Sequence, residues 1–365
     1  MQGKSILLLS RYGEQAASSR LRTLQYLPYL RQAGIDVEVA SFFDDRYLDH
    51  LYRSGSRRVT DVFRAYAHRF ARLLSARRHA VVWVEKEVFP FLSGSFEALL
   101  RLARAPWVVD YDDAIFHTYD LHPSAVVRFA LGRKLTPLLG GAAAVIAGNS
   151  YLESHLRPLG ARQLYRIPTV VDVSRYPAAP KAVPRDELRI GWIGSPATSH
   201  YLRELKGALG EASRRRRLRL VTIGAGPLDD LGVPIEQHPW SADTEAALLA
   251  TIDVGIMPLP DGPWENGKCG YKLIQYMAVG RPVIASPVGV NRDIVTPAVG
   301  RLASSDEEWA RAVVELADDV SLRQMLGETA RVRVLDEYSL QSTAPKILQI
   351  LTQAAGSRLS VENRT

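Results

Sequence analysis

Two stretches of the chain concentrate side chains that could do chemistry. The first is Glu265–Val295, ENGKCGYKLIQYMAVGRPVIASPVGVNRDIV, where Gly267 and Gly270 bracket Lys268 and Cys269. The good helix formers YKLIQYMA follow Gly270 and stop at Gly280. At helical spacing Leu273, Ile274, Met277 and Ala278 form an apolar stripe, while Lys268, Lys272 and Gln275 share another face. A glycine-opened helix N-terminus with an ammonium beside it suits a diphosphate. Gln275, two turns along, would then reach a ribose or sugar hydroxyl. The competing reading leaves both lysines solvated. Cys269 has no histidine partner in the stretch and reads as a small residue in a tight spot, not a nucleophile.

The second stretch is VVDYDDAIFH, which ends a predicted strand with Asp110, Asp112, Asp113 and, four residues on, His117. So many carboxylates cannot sit unpaired in a core, so they hold a cation, pair with arginine or line a polar cleft. Alternation along a strand would turn Asp110 and Asp112 to one side and Asp113 to the other. VEKEVFP adds a similar charged rim of Glu85, Lys86 and Glu87, and SSRLR brings Arg20 and Arg22 to the start of the first helix. These arginines could hold phosphate as easily as pair with the aspartates. Weaker signals are the turns IGWIGSPATSHY and VTIGAGP, which put Gly194 with Ser195, and Gly224 with Gly226, just past strand ends. Neither fits a dinucleotide fingerprint, because Pro227 follows at once in the second.

The elements that must carry these residues alternate short β-branched runs with helical periodicity, the pattern of an α/β fold. SILLLS, DVEVASF, AVVWVEK, WVVDYDD and AAVIAGN are predicted strands, with RLRTLQYLPYLRQAG a helix between the first two. A proline-rich stretch over 166–188, holding Pro168, Pro177, Pro180 and Pro184, marks a linker. The pattern then restarts with LRIGWIGSP, LRLVTIGAG, DVGIMPLP and RPVIASPVG. Two α/β halves of this kind imply a cleft as the ligand site, beyond the carboxyl ends of the strands.

Composition narrows the function classes. Residues 1–171 hold 23 Lys and Arg against 15 Asp and Glu, and the remainder 23 against 24, so the excess of positive charge lies in the first half. That points to phosphorylated substrates, an anionic surface or nucleic acid. The last is disfavoured because the basic residues are not interleaved with aromatics. One cysteine and eight histidines supply no usual zinc set, and no apolar run is long enough to span a bilayer or act as a signal peptide. The single cysteine excludes an intrachain disulfide and fits a reducing, cytoplasmic setting. RRVTDVFRAYAHRFARLLSARR, from Arg57 to Arg78, reads as a basic amphipathic helix. Such a helix can lie on an anionic membrane; in the competing reading its stripe of Val59, Val62, Phe63, Tyr66, Phe70, Leu73 and Leu74 packs on the sheet and the arginine side alone meets lipid headgroups.

The two halves, the linker RIPTVVDVSRY and the stretch GYKLIQYMAVGRPVIASPVG resemble the GT-B glycosyltransferases of family four, the glycosyl transferases group 1. The resemblance covers essentially the whole chain. It implies two Rossmann-like domains facing across a cleft, 1–170 for the acceptor and 171–340 for a nucleotide sugar. Residues 341–365 would form a helix crossing back to the first domain, with a tail. It further implies a retaining, metal-independent enzyme that needs no cofactor. Such an enzyme would move a sugar from a nucleotide-diphosphate donor to a glycan or lipid-linked acceptor of the cell envelope, as a peripheral protein at the inner face of the membrane. On this resemblance the donor site is Gly194, Ser195, Gly224, Glu265, Gly267, Lys268, Cys269, Gly270, Tyr271, Lys272 and Gln275. Arg20, Arg22, Lys86, Glu87 and His117 would serve the acceptor, and Asp112, Asp113 and Lys268 the chemistry. The family carries two glutamates at the places of Gly267 and Gln275, and often a histidine at that of Asp112. Glu265 would stand in for the first glutamate, and Gln275 would bind without charge assistance. The departures keep open a sugar-nucleotide epimerase and an inactive nucleotide-sugar-binding subunit.

Overall fold

A computed structural model of the protein describes residues 5–56, 58–181 and 186–359; Arg57, Pro184 and the tail from Ser360 lie outside them. The chain divides into two compact units, one holding the residues up to Thr169 together with those from Thr343 onward, the other Val170–Ser342. Both are α/β, and each is built on one six-stranded parallel sheet.

The first sheet contains β1 (Ser5–Leu9), β2 (Asp36–Val39), β3 (Val81–Glu85), β4 (Trp107–Tyr111), β5 (Ala144–Ala147) and β6 (Leu164–Arg166), ordered β2-β1-β3-β4-β5-β6. Its central strands read as near-continuous apolar runs, SILLL, VVWVE and AVIA, because helices cover both faces. The order reverses between β1 and β3, so the carboxyl ends of those two strands open a crevice. Arg11 follows the first of them and Lys86 the second.

The second sheet contains β7 (Glu187–Ile193), β8 (Arg217–Ile223), β9 (Ile235–His238), β10 (Val254–Met257), β11 (Val283–Ala285) and β12 (Gly300–Leu302), ordered β12-β11-β10-β7-β8-β9. This is the doubly wound dinucleotide-fold order, with its switch point between β7 and β10. The helix Tyr271–Ala278 packs beside that point through Tyr276, which accepts from the Ile193 N–H at 2.9 Å. A Cβ on Gly255 of β10 would lie 2.1 Å from the Tyr276 ring, so glycine there lets helix and strand close up.

Three predicted features change. The expected helix from Arg20 to Gly34 is broken into Ala17–Arg22, a 3-10 turn Leu24–Tyr26 and Leu27–Gln32, with Pro28 in the first turn of the last piece. β6, β9 and β12 were not expected; each is the last strand at a sheet edge, short and half-exposed, so its sequence lacks an apolar run. The basic helix forms as Val59–Ser75, yet only part of its stripe packs inward: Leu73 is buried and Val62 and Tyr66 half-buried, whereas Val59, Phe63 and Leu74 face solvent.

The last helix, Leu340–Ala355, begins in the second unit, and from Thr343 its residues belong to the first. There Tyr26 Oη and Thr343 Oγ1 lie 3.2 Å apart, both buried.

Candidate active site

In the second unit β7 runs into Gly194 and Ser195, and Ser195 caps the 3-10 helix Pro196–Leu205 through a capping box with Thr198. A Cβ on Gly194 would lie 2.4 Å from the Trp192 ring and 2.5 Å from Lys272 Nζ. Only glycine therefore lets the ammonium reach the turn. Gly224, at φ +79°, lies against the same turn, for a Cβ there would meet the Gly194 carbonyl at 2.4 Å.

Lys272 Nζ stands 3.9 Å from the centre of the Trp192 ring and 3.5 Å from Thr198 Oγ1. Among the described residues no carboxylate pairs with it. Burial, then the neighbouring Lys268 charge, push its ammonium down to about 7. The Trp192 face offsets part of that cost by a cation–π contact. Lys268 lies over Tyr201, 5.7 Å from the ring centre, and the Tyr201 hydroxyl donates to Glu265 Oε1 at 2.6 Å. Gly194, Ser195, Lys268, Lys272 and Glu265 are thus brought together at the switch point, with Trp192, Thr198 and Tyr201 added to them. The backbone N–H groups of Gly267 and Lys268 are spent on the carbonyls of Trp264 and Glu265, at 3.2 and 3.1 Å.

The rest of the stretch has other surroundings. Gly270 opens the helix in a left-handed conformation, φ 66°, and Cys269 is buried beside it. Gln275 is only 4% exposed; its Nε2 donates to the Tyr176 hydroxyl at 3.4 Å. Tyr176 in turn donates to Glu245 Oε1 and also bonds Tyr271, while Trp240 Nε1 donates to Glu245 Oε2 at 2.5 Å. The expected polar face of Lys268, Lys272 and Gln275 is therefore split. Lys272 turns to the β7 turn and Lys268 to Tyr201, while the glutamine joins a buried tyrosine–glutamate network.

In the first unit Glu85, Lys86 and Glu87 are buried, so they form no exposed rim. Asp110 accepts from Arg22 Nε at 2.6 Å, and Arg22 Nη1 also donates to the Ile167 carbonyl at 2.9 Å. Burial pushes the Asp110 carboxyl up to about 6, with Arg22 pulling the other way. Lys86 adopts φ 67°, a conformation that costs a non-glycine residue about 1 kcal/mol or more. It thereby reaches Asp112 Oδ1 at 3.0 Å and Asp113 Oδ2 at 2.7 Å. Burial opposes its charge, but the two aspartates outweigh it and raise the ammonium above its usual range. Asp112 and Asp113 so converge on one cation instead of splitting across the sheet, because β4 ends at Tyr111 and alternation stops there.

Glu87 is gripped by Arg11 at 2.5 Å, Lys134 at 2.6 Å and the Tyr119 hydroxyl at 2.8 Å. Burial would raise that carboxyl, yet Lys134 and Arg11 hold it below the usual range. Lys134 also pairs with the buried Glu97 at 3.2 Å. His117 is 9% exposed, with Nδ1 2.8 Å from Asp120 Oδ1 and Nε2 2.8 Å from the Tyr151 hydroxyl. Arg20 sits at the surface, donating to the Glu14 carbonyl at 3.1 Å. Arg11, Glu97, Tyr119 and Lys134 carried no sequence signal, since their partners lie far away in the chain. No group of described residues forms a cluster of three or more potential metal ligands.

Comparison with known proteins bears on the fold. Residues 187–319 match the family model described as Glycosyl transferases group 1. No curated protein matches the chain in sequence. Among solved structures, a sucrose-phosphate synthase from Thermosynechococcus elongatus is similar at 16% identity, with a TM-score of 0.69 over 96% of this chain and 98% of that one. A glycosyltransferase from Rickettsia africae is similar at 15% identity, with a TM-score of 0.71 over 98% of this chain and 100% of that one. HepE from Anabaena, in complex with UDP and glucose, is similar at 16% identity, with a TM-score of 0.66 over 96% of this chain and 99% of that one. Identities this low speak for fold alone. The segment 187–319 thus matches the glycosyl transferases group 1, within a chain that has the GT-B fold over nearly its whole length.

Proposed function

We propose that the protein is a retaining, metal-independent glycosyltransferase. It takes a sugar from a nucleotide-diphosphate donor held by the second unit and passes it to a glycan or lipid-linked acceptor held by the first. The observation that carries this reading is a pair of neighbouring ammonium groups, Lys272 against the Gly194 turn and Lys268 over Tyr201, in the family-matching unit. Two ammonium groups and a glycine turn suit a diphosphate, and they supply the positive charge that a metal would otherwise bring to the leaving group. HepE was solved with UDP-glucose, so UDP-sugars are the first donors to test.

In the reaction, the bond from the anomeric carbon to the diphosphate oxygen breaks while the acceptor oxygen bonds that carbon on the same face. The acceptor proton passes to the departing phosphate oxygen, so no protein base is required. Lys268 and Lys272 stabilise the charge that grows on the diphosphate. Asp112 and Asp113, held by Lys86, orient the acceptor or stabilise the oxocarbenium-like centre. Glu265, fixed by Tyr201, is the carboxylate available to the donor sugar hydroxyls.

Gln275 supports a different division of labour from that of its family counterpart. Its burial against Tyr176 suits holding the site's floor better than gripping a ribose. This favours, as second reading, a nucleotide-sugar-binding protein without turnover. A thermal-shift screen across UDP-, GDP- and ADP-sugars, followed by an assay for nucleoside diphosphate release with mixed glycan and lipid acceptors, separates the two. Stabilisation with release supports transfer, stabilisation without any release supports the binding protein, and no stabilisation removes both.

A further inference from the structure

One surface of the first unit is apolar where a water-soluble enzyme has no use for it. On the helix Val59–Ser75 the outward side chains follow a helical ridge, with Val59, Phe63, Phe70 and Leu74 at spacings of four, seven and four. Phe63 and Leu74 are each 75% exposed. The helix Ala125–Leu131, AVVRFAL, has no buried residue at all; Val126 is 75% exposed and Phe129 94%. Between the two helices runs the segment Phe89–Phe91. The Tyr66 hydroxyl ties it to the first by donating to the Pro90 carbonyl, and Phe70 packs 4.6 Å from the Phe89 ring. On its other side the Phe91 N–H donates to the Tyr119 hydroxyl at 3.1 Å, one short helix before Ala125–Leu131. Phe91 is itself half-exposed, at φ 58°. The segments that carry these apolar groups are therefore linked through Phe89–Phe91, and several large apolar side chains are exposed on them.

The charges around this region decide what covers it. Arg58, Arg64, Arg77, Arg78, Arg128 and Arg133 are exposed on the same two segments. Within 58–78 the carboxylate is Asp61, 3.6 Å from Arg64, and within 117–134 it is Asp120, held by His117; from neighbouring elements Glu38 pairs with Arg72 and Asp44 faces His68. Large apolar side chains rimmed by exposed arginines that outnumber the facing acids match an anionic bilayer surface, where the chains enter the acyl boundary and the guanidinium groups meet phosphate. Among the described residues no helix is long and apolar enough to cross a membrane, so contact would be interfacial.

We propose that the first unit docks on anionic lipid bilayers through Phe63, Leu74, Phe91 and Phe129, with Arg64 and Arg128 on the headgroups. This deepens the reading of a lipid-linked or envelope acceptor and rests on it for its purpose, but the surface itself is independent of the donor site. Of the two readings of the basic helix, it takes the one in which apolar side chains, and not the arginines alone, meet lipid.

The test is flotation of the full chain with phosphatidylglycerol-containing and pure phosphatidylcholine vesicles at low and high salt, with analytical ultracentrifugation in the absence of lipid. Wild type should float with the anionic vesicles and much less with the neutral ones. Phe63→Ser and Phe129→Ser should each weaken binding about ten-fold at either salt concentration. Arg64→Glu and Arg128→Glu should weaken it about five-fold or more, chiefly at low salt. Unchanged melting and unchanged UDP-sugar stabilisation of the variants would show that the fold and donor site are intact. No flotation at low salt, or flotation indifferent to both serine variants, overturns the proposal. A dimer in lipid-free solution that Phe129→Ser dissociates would instead assign the surface to a second copy of the chain. Loss of UDP-sugar binding in wild type would strike the donor-site reading and leave the membrane result standing.

Discussion

Nucleoside diphosphate binding should pull a proton onto Lys272. In the free protein its ammonium is pushed down to about 7, by burial first and by Lys268 second, with no carboxylate beside it among the described residues. A diphosphate on the Gly194 turn would restore the charged form, because an anion within a few ångströms favours the ammonium. At pH 8, about one tenth of free molecules carry the proton and essentially all bound ones do, so binding should take up about 0.9 proton. At pH 6 the share of the uptake due to Lys272 should fall to about 0.1. Above pH 7 the affinity should weaken towards ten-fold per pH unit, about 1.4 kcal/mol each. Calorimetric titration with UDP at pH 8 in buffers of different ionisation enthalpy reads the uptake directly. The ligand's own phosphate is already ionised there. Lys272→Arg keeps a charge that does not titrate and should abolish the uptake while retaining binding. A wild-type uptake near zero at pH 8 with normal binding would refute the reasoning, as would an unchanged uptake in Lys272→Arg.

Other outcomes follow from the same geometry. Between pH 7 and about 10 the unfolded chain binds the Lys272 proton and the folded one does not. Ligand-free stability should therefore rise with pH across that window, and Lys272→Met should flatten this rise in thermal melts. Lys268→Ala should weaken nucleoside diphosphate binding at least ten-fold by calorimetry, since a charge-assisted contact of about 1.5–3 kcal/mol is lost. Asp112→Asn should leave that binding unchanged and lower diphosphate release with acceptor; full turnover would remove Asp112 from the reacting centre. Lys134→Met leaves Glu87 and Glu97 together in a buried site with one cation fewer, and should cost about 3–5 kcal/mol in denaturant melts.

How far these features were legible in the sequence depended on the range of the forces that make them. β1, β3, β4, β5, β7 and β8 are buried on both faces and announced themselves as apolar runs, whereas β6, β9 and β12 at the sheet edges did not. Gly194, Gly270, Lys268 and Lys272 were visible because a glycine turn and a helix face are local patterns. What Lys272 approaches was not visible, since Trp192 lies eighty residues earlier and only the sheet order brings it near. The same holds for Lys86. Its strained backbone and its grip on Asp112 and Asp113 come where the ends of the paired parallel strands β3 and β4 meet, and no spacing predicts them. The basic helix misled in another way: periodicity marks an apolar stripe without saying that its outer half finds nothing to cover it.

The claim on which the account rests is that the second unit holds a nucleotide-diphosphate sugar on Lys268 and Lys272. Calorimetric titration of wild type, Lys268→Ala and the double variant Lys268→Ala/Lys272→Ala with a panel of UDP-, GDP- and ADP-sugars tests it most directly. The account predicts saturable one-to-one binding of at least one donor class to wild type, weakened in the single variant and lost in the double. Binding that survives the double variant, or no binding of any donor to wild type, would contradict it.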